Sequence, residues 1–269
     1  MTSHQQFPMT SANIHPTAMI HPGARVPDSC KVGPYCVIGA DVELGEGCHL
    51  LSHVAIEGPT TIGADNGIFP FAAIGMAPQD VTYKGERTRL EIGDHNEIRE
   101  YVTINRGTVK GGGLTRVGNH ILIMAYTHIG HDCVIGDHSM LVNGATLGGH
   151  VIVEEWAVVG ALCPVHQFVR IGAHSYIGGG TTITRDVLPF SMTSAARDTH
   201  AYLLNKIGLQ RRGFSKARIA RLHHAYKVLL SSKMNTSQAI EKLKSEPDRG
   251  EDVEMLIRFI EGSERGVIK

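Results

Sequence analysis

Residues 26–50 read VPDSCKVGPYCVIGADVELGEGCHL, and every sixth residue of this stretch is aliphatic. The spacing runs unbroken from Ile14 to Ile74, resumes over Ile92–Ile104 and runs again over Val117–Ile183. It holds at 11, 3 and 12 positions in the three runs, 26 in all. A six-residue period is typical of parallel β-helices, in which each hexapeptide forms one wall of a coil.

The other positions of the hexapeptide agree with this fold. Glycine often follows the aliphatic residue, and the residue four places after it is small or β-branched, as at Ala18, Val54 and Thr181. Such side chains suit the narrow interior of a prism. Three walls make a coil of 18 residues, so the repeat predicts about nine coils. All five cysteines also stand four places after an aliphatic residue of the repeat. This shared position predicts free, buried thiols that act as small core residues.

The composition excludes several functional classes. The 269 residues carry 26 basic and 26 acidic side chains, so the chain has no overall positive charge that would attract nucleic acid. No apolar run approaches the ~20 residues of a transmembrane helix, and the N-terminus lacks the basic-then-apolar order of a secretory signal. We therefore expect a cytoplasmic protein with no stable membrane insertion and no nucleic-acid partner.

The spacing is interrupted twice before it ends. Residues 76–90 and 109–116 do not follow it, and such insertions in a solenoid become external loops that often carry binding residues. After Ile183 the sequence turns to helix-forming residues, so we predict an all-β β-helix domain over residues 1–190 and a C-terminal α-helical domain over residues 191–269. Helices are predicted at three places: after Ser215, around Ser237–Ser245 and around Val253–Glu261. The helical domain is expected to cap the open end of the β-helix.

Two sets stand out among the sixteen histidines. Several occupy hexapeptide positions that are expected to face solvent: His21, His53, His95, His138 and His174. The second set is brought together by the 18-residue coil, because neighbouring coils lie ~4.8 Å apart. Together with neighbouring residues, this set forms two predicted columns: His131, Gly149 and Gln167 in one, and Asp132, His150 and Phe168 in the other. His128 and His166 lie beside them.

Three interpretations fit this second set. Its members could be surface histidines without a function, or zinc ligands with an open fourth position, as in the carbonic anhydrases of the same fold. Neutral imidazole, with an ordinary pKa of ~6.5, could also take a proton from a hydroxyl, and an adjacent carboxylate would fix its tautomer. The spacing is not that of the zinc enzymes. We therefore favour general-base chemistry without a metal or a redox cofactor.

Several segments of the chain identify a known family. They are Gln79-Asp80, Ile98–Glu100, Arg106–Thr108, Thr127–Cys133, Gly148–Val151, Val165–Phe168, Arg211–Ser215 and Arg265-Gly266. In matching order, over nearly the whole chain, they resemble the acyl-carrier-protein-dependent UDP-N-acetylglucosamine O-acyltransferases of lipid A biosynthesis. The resemblance implies a left-handed parallel β-helix, assembled as a homotrimer with active sites between neighbouring subunits.

The resemblance also implies residue roles. His131 would be the general base that deprotonates the glucosamine 3-hydroxyl as it attacks the thioester of a 3-hydroxyacyl carrier protein. Asp132 would orient His131, and the backbone N–H of Gly149 would stabilise the oxyanion. Other residues would bind the substrates. The sugar and acyl chain would be held by Asp80, His128, His150 and Gln167, and the UDP moiety by His166, Asn205 and Arg212. The carrier protein would meet Arg211, in a basic patch extended by Lys216, Arg218 and Arg221. Gly179 would leave a slot open for a long acyl chain, which Tyr176 could shorten.

Three residues depart from the family pattern. Thr82 stands where the family usually has a lysine, Asn105 replaces a frequent histidine, and Ile207 replaces an acidic residue near the uridine. Lys84 is expected to compensate for Thr82. Because these changes alter the bonding around the acceptor, a 3-amino UDP-sugar, which would give an amide, stays open as an alternative. So do an acyltransferase of the same fold that uses a coenzyme A thioester and a non-catalytic trimeric scaffold.

Overall fold

The structure, a computed structural model, describes residues 13–195, 199–231 and 234–268. The predicted domain ranges also include residues outside the described ones, namely 1–12, 196–198, 232–233 and 269. In chain order the strands are β1 Met19–Ile20, β2 Lys31–Val32, β3 Val37–Ile38, β4 Val42–Leu44, β5 His49–Leu50, β6 Ala55–Ile56, β7 Thr60–Ile62, β8 Gly67–Ile68, β9 Ala73–Met76, β10 Arg89–Ile92, β11 Glu97–Ile98, β12 Thr103–Asn105, β13 Leu114–Val117, β14 Leu122–Ile123, β15 His128–Ile129, β16 Val134–Ile135, β17 Met140–Leu141, β18 Thr146–Leu147, β19 Ile152–Val153, β20 Val158–Val159, β21 Pro164–Val165, β22 Arg170–Ile171, β23 Tyr176–Ile177, β24 Ser191–Ala195 and β25 Thr199–Leu204. The helices are α1 Lys206–Arg211, α2 Lys216–Ser231, α3 Thr236–Ser245 and α4 Gly250–Glu261, with a 3₁₀ turn at Val109–Gly111.

From β2 to β23, every third strand joins the same sheet, so the coils form a triangular prism. Sheet 1 runs β1-β3-β6-β9-β12-β15-β18-β21, sheet 2 runs β4-β7-β10-β13-β16-β19-β22, and sheet 3 runs β2-β5-β8-β11-β14-β17-β20-β23-β24-β25. Aliphatic residues of successive coils are parallel register partners, as Ile129 is with Leu147 and Leu147 with Val165. The residues of the six-residue spacing are buried from Val32 to Ile183. Each wall of each of these coils therefore contributes one aliphatic side chain of the repeat to the core.

Successive walls meet at corners formed by the residue three places after each aliphatic residue. At most corners from Tyr35 onward the backbone φ of this residue is positive, for example 61° at Asp132 and 59° at His138, a conformation that only glycine adopts freely. Corner side chains of successive coils form columns, in which most neighbouring rings stack and the rings of Tyr35 and His53 are tilted. We name three of them: the site corner is Asp132, His150 and Phe168; the tryptophan corner is His95, His120, His138, Trp156, His174 and Phe190; the tyrosine corner is Tyr35, His53, Phe71, Tyr101 and Tyr126.

Corner stacking corrects one prediction about the histidines. Four of the five that were expected to face solvent are exposed or half-buried: His21, His53, His95 and His138. The prediction for His174 is wrong, because its ring stacks parallel to Trp156 and Phe190 and the residue is 9% exposed. Burial, with the nearby Arg212 guanidinium, lowers the pKa of His174 from 6.5 to about 4.

The buried apolar residues form two cores. The prism core contains the repeated aliphatic residues and all five cysteines, which are free and buried as predicted. The second core joins the helices to Leu188 and Phe190, which follow the last regular coil. The chain then returns to the prism, because Ile268 lies in the prism core and Val267 pairs with Asp186. The helices therefore pack on this end of the prism.

Two insertions interrupt the coils near the predicted positions. The first loop comprises residues 77–88, between β9 and β10, and the second loop comprises residues 106–113, between β12 and β13. The second loop starts and ends earlier than predicted, because β13 already begins at Leu114. Sheet 3 continues beyond residue 190, because β24 pairs in parallel with β23. The division into two domains at that residue stays a prediction.

The three predicted helices are present as α2, α3 and α4, whereas the sequence did not predict α1 or the antiparallel pair of β24 and β25. Helix α3 begins with a capping box in which Asn235 and Gln238 exchange side-chain and backbone hydrogen bonds. No described helix has the length and apolar character needed to cross a membrane.

Candidate active site

The coil register brings the predicted columns together where sheet 1 meets sheet 2. The backbone N–H of His150 donates to the carbonyl oxygen of His131 at 2.9 Å. One coil further on, the N–H of Phe168 donates to the carbonyl oxygen of Gly149 at 3.1 Å. These bonds place His131 beside Gly149 and Asp132 beside His150 in adjacent coils, as the 18-residue spacing predicts.

His131 and Asp132 form a hydrogen-bonded pair. Nδ1 of His131 lies 2.8 Å from Oδ2 of Asp132. The Asp132 side chain is 1% exposed and that of His131 is 15% exposed. A buried carboxylate next to Nδ1 favours the tautomer that carries its proton there. Nε2 of His131 is then free to accept a proton.

The second loop supplies the other partners of the Asp132 carboxylate. The backbone N–H of Thr108 donates to Oδ1 at 2.8 Å, and the Thr108 hydroxyl donates to Oδ2 at 2.6 Å. The loop backbone approaches so closely that a Cβ at Gly111 would collide with the carboxylate, and one at Gly107 would lie 2.8 Å from its Oδ1. Three donors, two from Thr108 and one from His131, therefore fix the carboxylate.

The absence of a side chain at Gly149 leaves room for the His131 ring. A Cβ at residue 149 would collide with Cε1 of His131 and lie 2.7 Å from its Nε2. Any larger residue would displace the ring. Within the described part of the chain, no acceptor pairs with the Gly149 backbone N–H, which is therefore available to a ligand.

His150 and His128 flank the pair. Nε2 of His150 lies 3.6 Å from Oδ2 of Asp132, and its ring stands edge-on to that of His131 with centroids 5.2 Å apart. Nδ1 of His128 lies 2.7 Å from the Thr103 hydroxyl. Burial is the main cause that lowers the pKa of both His128 and His150, and the neighbouring His131 lowers each pKa further. The Asp132 carboxylate opposes the shift at His150 without reversing it. Both rings are therefore neutral near pH 7 and suited to uncharged hydroxyl groups.

The first loop places Asp80 near this group. Both the N–H and the hydroxyl of Thr82 donate to Oδ1 of Asp80, at 2.7 Å and 2.9 Å. These bonds lower the pKa of Asp80, and the Lys110 ammonium contributes to the shift. Nζ of Lys110, on the second loop, donates to the Thr82 hydroxyl at 2.9 Å. Lys110 thus supplies a cation beside Thr82, while the backbone N–H of Lys84 donates to the Glu86 carboxylate. Compensation by Lys84 stays a prediction.

Asn105 and Arg106 tie the first loop to the prism. Asn105 is 3% exposed, and its Nδ2 donates to the carbonyl oxygen of Ala77 at 2.7 Å. Its Oδ1 has no partner among the residues that the structure describes. Arg106 donates to the carbonyl oxygen of Gly75 and to the Tyr83 hydroxyl. In this chain Asn105 thus fixes the start of the first loop.

Further residues of the predicted site lie in the next coil, where they are exposed to solvent. His166 and Gln167 are both exposed, and Nδ1 of His166 lies 3.0 Å from the carbonyl oxygen of Gln167. The Phe168 ring stacks on His150 with centroids 4.4 Å apart. Gln167 therefore stands in the column of His131 and Gly149, one coil beyond Gly149.

Arg212 and Asn205 lie at the tryptophan corner, not at the site corner. Nη2 of Arg212 donates to the carbonyl oxygen of Trp156 at 2.8 Å, whereas its buried Nη1 has no partner among the described residues. Burial lowers the pKa of Arg212. Asn205 caps α1 by accepting from the Gly208 N–H at 3.2 Å, and its Nδ2 donates to the carbonyl oxygen of His174 at 2.9 Å. Within one chain, both residues are one corner away from His131.

The basic patch of the helical region is smaller than predicted. Arg218 makes two 2.8 Å hydrogen bonds to the Asp252 carboxylate, and Arg221 lies 3.9 Å from Asp248. Arg211 and Lys216 are exposed, and neither has an acidic partner among the described residues. These two cations are therefore better placed for an acidic partner than Arg218 and Arg221.

The two residues assigned to acyl-chain length both precede the tyrosine corner, on the side of sheet 3. Gly179 immediately precedes the corner residue Gly180, and a Cβ at residue 179 would lie 3.3 Å from the carbonyl oxygen of Ala161. Tyr176 belongs to β23 in sheet 3, whereas His128 belongs to β15 in sheet 1. Their role in chain length stays a prediction.

The zinc interpretation also has a geometric basis. In the described ranges, one group of three possible ligands is present, His131, Asp132 and His150, with ligand atoms within 4.8 Å of one another. A zinc ion bound to Nδ1 of His131 and Oδ2 of Asp132 would first have to break their mutual hydrogen bond. Thr108 donates twice to the same carboxylate. The arrangement therefore fits a carboxylate–imidazole pair better than a metal centre.

Sequence reasoning missed the roles of Thr108, Lys110 and Trp156. Trp156 had a signal, because it stands three places after an aliphatic residue, the position at which the corner columns form. Thr108 had only its place in the Arg106–Thr108 segment of the family resemblance, and Lys110 only its place in an insertion, because their partners come from other segments.

The prism and its histidine–carboxylate corner define a transferase of the hexapeptide-repeat class. Residues 114–149 match the profile of bacterial transferase hexapeptide repeats, and residues 186–268 match domain 2 of UDP N-acetylglucosamine O-acyltransferase. The acyl-[acyl-carrier-protein]--UDP-N-acetylglucosamine O-acyltransferase of Anaeromyxobacter sp. (strain Fw109-5) is 44% identical over 214 residues, which cover 80% of this chain and 83% of that protein. The chain belongs to the family of acyl-carrier-protein-dependent UDP-N-acetylglucosamine O-acyltransferases.

Solved structures agree with this assignment. The UDP-N-acetylglucosamine acyltransferase of Francisella novicida is 40% identical with a TM-score of 0.92, and the match covers 95% of this chain and 93% of that one. The UDP-N-acetylglucosamine O-acyltransferase of Moraxella catarrhalis is 41% identical with a TM-score of 0.91, over 96% and 100% of the two chains. The predicted left-handed parallel β-helix with C-terminal helices, and the predicted acyltransferase of lipid A biosynthesis, are confirmed.

Proposed function

We propose that this chain transfers a 3-hydroxyacyl group from acyl carrier protein to the 3-hydroxyl of UDP-N-acetylglucosamine, in the cytoplasm, with His131 as the general base. The observation that carries the proposal is the 2.8 Å pair between Nδ1 of His131 and the buried Asp132 carboxylate, which leaves Nε2 to take a proton. A positioned general base typically contributes about 10²- to 10⁴-fold in rate.

The reaction needs two proton transfers through one imidazole. Nε2 of His131 accepts the proton of the sugar 3-hydroxyl as that oxygen attacks the thioester carbonyl carbon, and Asp132 stabilises the imidazolium that forms. The Gly149 N–H then donates to the oxyanion of the tetrahedral intermediate, a contribution typically of ~3 kcal/mol. When the C–S bond breaks, His131 returns the proton to the carrier thiolate. The products are the ester and the free thiol, and these steps use no metal and no redox cofactor.

The polar groups around His131 are assigned to the substrates. Neutral imidazoles at residues 128 and 150 can donate to or accept from sugar hydroxyls without the cost of burying a charge. The remaining assignments are Asp80 and Gln167 for the sugar and acyl chain, His166 for the nucleotide region, and Gly179 and Tyr176 for the length of a long acyl chain.

A homotrimer would complete the site. Arg212 and Asn205 contact the tryptophan corner, so a UDP moiety that they bind cannot lie directly against His131 of the same chain. In a closed three-fold assembly, the site corner of one subunit can face the tryptophan corner of the next. The unpartnered Nη1 of Arg212 would then meet a phosphate, and the exposed Arg211 an acidic carrier protein.

Mass analysis of the product tests the substrates. The purified protein would be incubated with UDP-N-acetylglucosamine or its 3-amino analogue and a mixture of 3-hydroxyacyl carrier proteins. We expect the ester of UDP-N-acetylglucosamine. Product from the 3-amino sugar alone would establish the amide-forming alternative, and turnover with coenzyme A thioesters alone would exclude the carrier protein. The absence of any product would favour the scaffold and overturn the proposal.

Hybrid trimers test the shared site. His131→Ala and Arg212→Ala would each impair a different part of the same site. When the two variants are coexpressed, random mixing should restore about a quarter of the sites, because some interfaces join an intact His131 to an intact Arg212. If coexpression restores nothing while both variants assemble normally, the site lies within one chain.

A further inference from the structure

We propose that Thr108 is a positioning residue that acts on the general base through Asp132; the inference rests on the proposed function of His131. Both hydrogen-bond donors of Thr108 are directed to one carboxylate, the N–H to Oδ1 at 2.8 Å and the hydroxyl to Oδ2 at 2.6 Å. Oδ2 is also the oxygen that lies 2.8 Å from Nδ1 of His131. The Thr108 hydroxyl and the His131 imidazole therefore share one acceptor atom.

Burial makes this sharing important. Thr108 is 4% exposed and Asp132 is 7% exposed, so water has little access to replace a missing donor. Hydrogen bonds to an ionised carboxylate are roughly twice as strong as bonds between neutral groups. In a buried site, a carboxylate that loses one donor is left partly unsatisfied.

The second loop is folded so that Thr108 keeps this orientation. The Thr108 hydroxyl accepts from the N–H of Gly111 at 3.2 Å and so caps the 3₁₀ turn, and its carbonyl oxygen accepts from the N–H of Gly113 at 2.7 Å. On the other side, the Asp132 N–H donates to the Thr115 hydroxyl at 2.7 Å. The second loop therefore holds the Asp132 carboxylate, and β13 holds the Asp132 backbone.

Two consequences follow for the base. Thr108 fixes the carboxylate so that it selects the His131 tautomer with Nε2 free. Its hydroxyl also withdraws charge from Oδ2, which weakens the stabilisation that Asp132 gives to the imidazolium. Without the hydroxyl, the imidazolium would be favoured more, and His131 would reach its neutral, active form only at higher pH.

The test compares Thr108→Val, which keeps the shape and the N–H but loses the hydroxyl, with Thr108→Ser, which keeps both donors. For Thr108→Val we expect kcat to fall about 10- to 100-fold, part of the contribution of a positioned base, with a smaller change in KM. The acid limb of kcat/KM against pH should move up by about half a unit or more. Thr108→Ser should stay within about threefold of the original enzyme and keep its pH profile.

Gly112→Ala is the matched control for loss of the turn. Gly112 has φ 90° and a Cβ there would meet nothing within 4 Å, so the change strains the same turn without touching Asp132. It should lower thermal stability and leave the pH midpoint unchanged. Thr108→Ala replaces Thr108→Val if the latter does not fold, since it also removes the hydroxyl.

The outcomes separate this inference from the proposed function. An unshifted pH profile in Thr108→Val and Thr108→Ala, or an equal shift in Gly112→Ala, would overturn the role of Thr108. If His131→Ala is inactive while the Thr108 variants match the original enzyme, the general base stands and only this inference fails. Normal activity in His131→Ala would instead remove the base itself.

Discussion

Asp41 and Asp132 occupy the same place in the hexapeptide and the same corner of the prism, yet they have opposite environments. Each follows an aliphatic residue by three places and has a positive φ, 56° and 61°. The Asp41 side chain is 49% exposed and pairs with Arg87, whereas the Asp132 side chain is 1% exposed and accepts from Thr108 and His131. The repeat sets the backbone of a corner residue, and the inserted loop above it sets the chemistry.

The histidines show the same contrast. At the tryptophan corner, His120 and His138 stack with ring centroids 5.0 Å apart and extend a column that ends at buried rings. His131 stands one place before a corner and pairs with the Asp132 carboxylate. Most corner imidazoles of this histidine-rich chain therefore stack on neighbouring rings, whereas His131 pairs with a carboxylate.

The largest difference between the two aspartates should appear in turnover. Asp132→Asn presents an amide where His131 and Thr108 both need an acceptor, so the wrong His131 tautomer is favoured. We expect kcat to fall about 10²- to 10⁴-fold. Asp41→Asn removes only an exposed ion pair, worth about 0–1 kcal/mol, and should leave kcat unchanged. Steady-state kinetics of both variants decides the point, and equal losses would contradict the comparison.

Gly149→Ala should give the next largest loss. The new Cβ would collide with the His131 ring, and a misplacement of about 1 Å can cost about 10²-fold in rate. Gly67→Ala is the control, because a Cβ at residue 67 would have only the Phe69 ring within 4 Å, at 3.8 Å. Kinetics and thermal melting of both variants should show an activity loss at residue 149 alone. Normal activity in Gly149→Ala would mean that the ring has another position.

The stacked histidines should report on stability rather than activity. The folded chain holds His174 neutral, with its pKa at about 4, whereas a histidine of the unfolded chain has an ordinary pKa of ~6.5. Protonation of the unfolded chain should therefore remove stability as pH falls from ~6.5 to ~4. His174→Phe should flatten this part of the curve of Tm against pH, and His120→Phe should not. Parallel curves for His174→Phe and the original protein would exclude this source of pH dependence.

The smallest effect should come from the contact between the two loops. Lys110→Ala removes the ammonium beside Thr82 and Asp80, and we expect KM for the UDP-sugar to rise a few-fold with little change in kcat. Lys84→Ala serves as the control and should have no effect. A larger effect at Lys84 than at Lys110 would mean that Lys84, and not Lys110, supplies the functional cation beside Thr82.

The sequence was sufficient for most of the fold. The six-residue spacing predicts the three walls, the coil length and the burial of the cysteines, because the period fixes which side chains point inward. The same arithmetic places His131 beside Gly149 and Asp132 beside His150. It did not predict the burial of His174, since corner stacking depends on the rings in the coils before and after it.

The insertions could not be read in this way. A loop outside the repeat has no period, so nothing in the sequence shows that Thr108 reaches Asp132 or that Lys110 reaches Thr82. Likewise, Arg211 and Arg212 are adjacent in sequence, yet one is exposed and the other packs against Trp156. Such differences depend on contacts between segments far apart in the chain.

Turnover of His131→Ala, measured beside His120→Ala, tests the central claim most directly. Both variants remove one imidazole from the prism, and only the first removes the group paired with Asp132. We predict a fall of about 10²- to 10⁴-fold for His131→Ala and a change of less than about twofold for His120→Ala, with both proteins assembled as the original is. Near-normal turnover by His131→Ala would contradict general-base catalysis at the site corner.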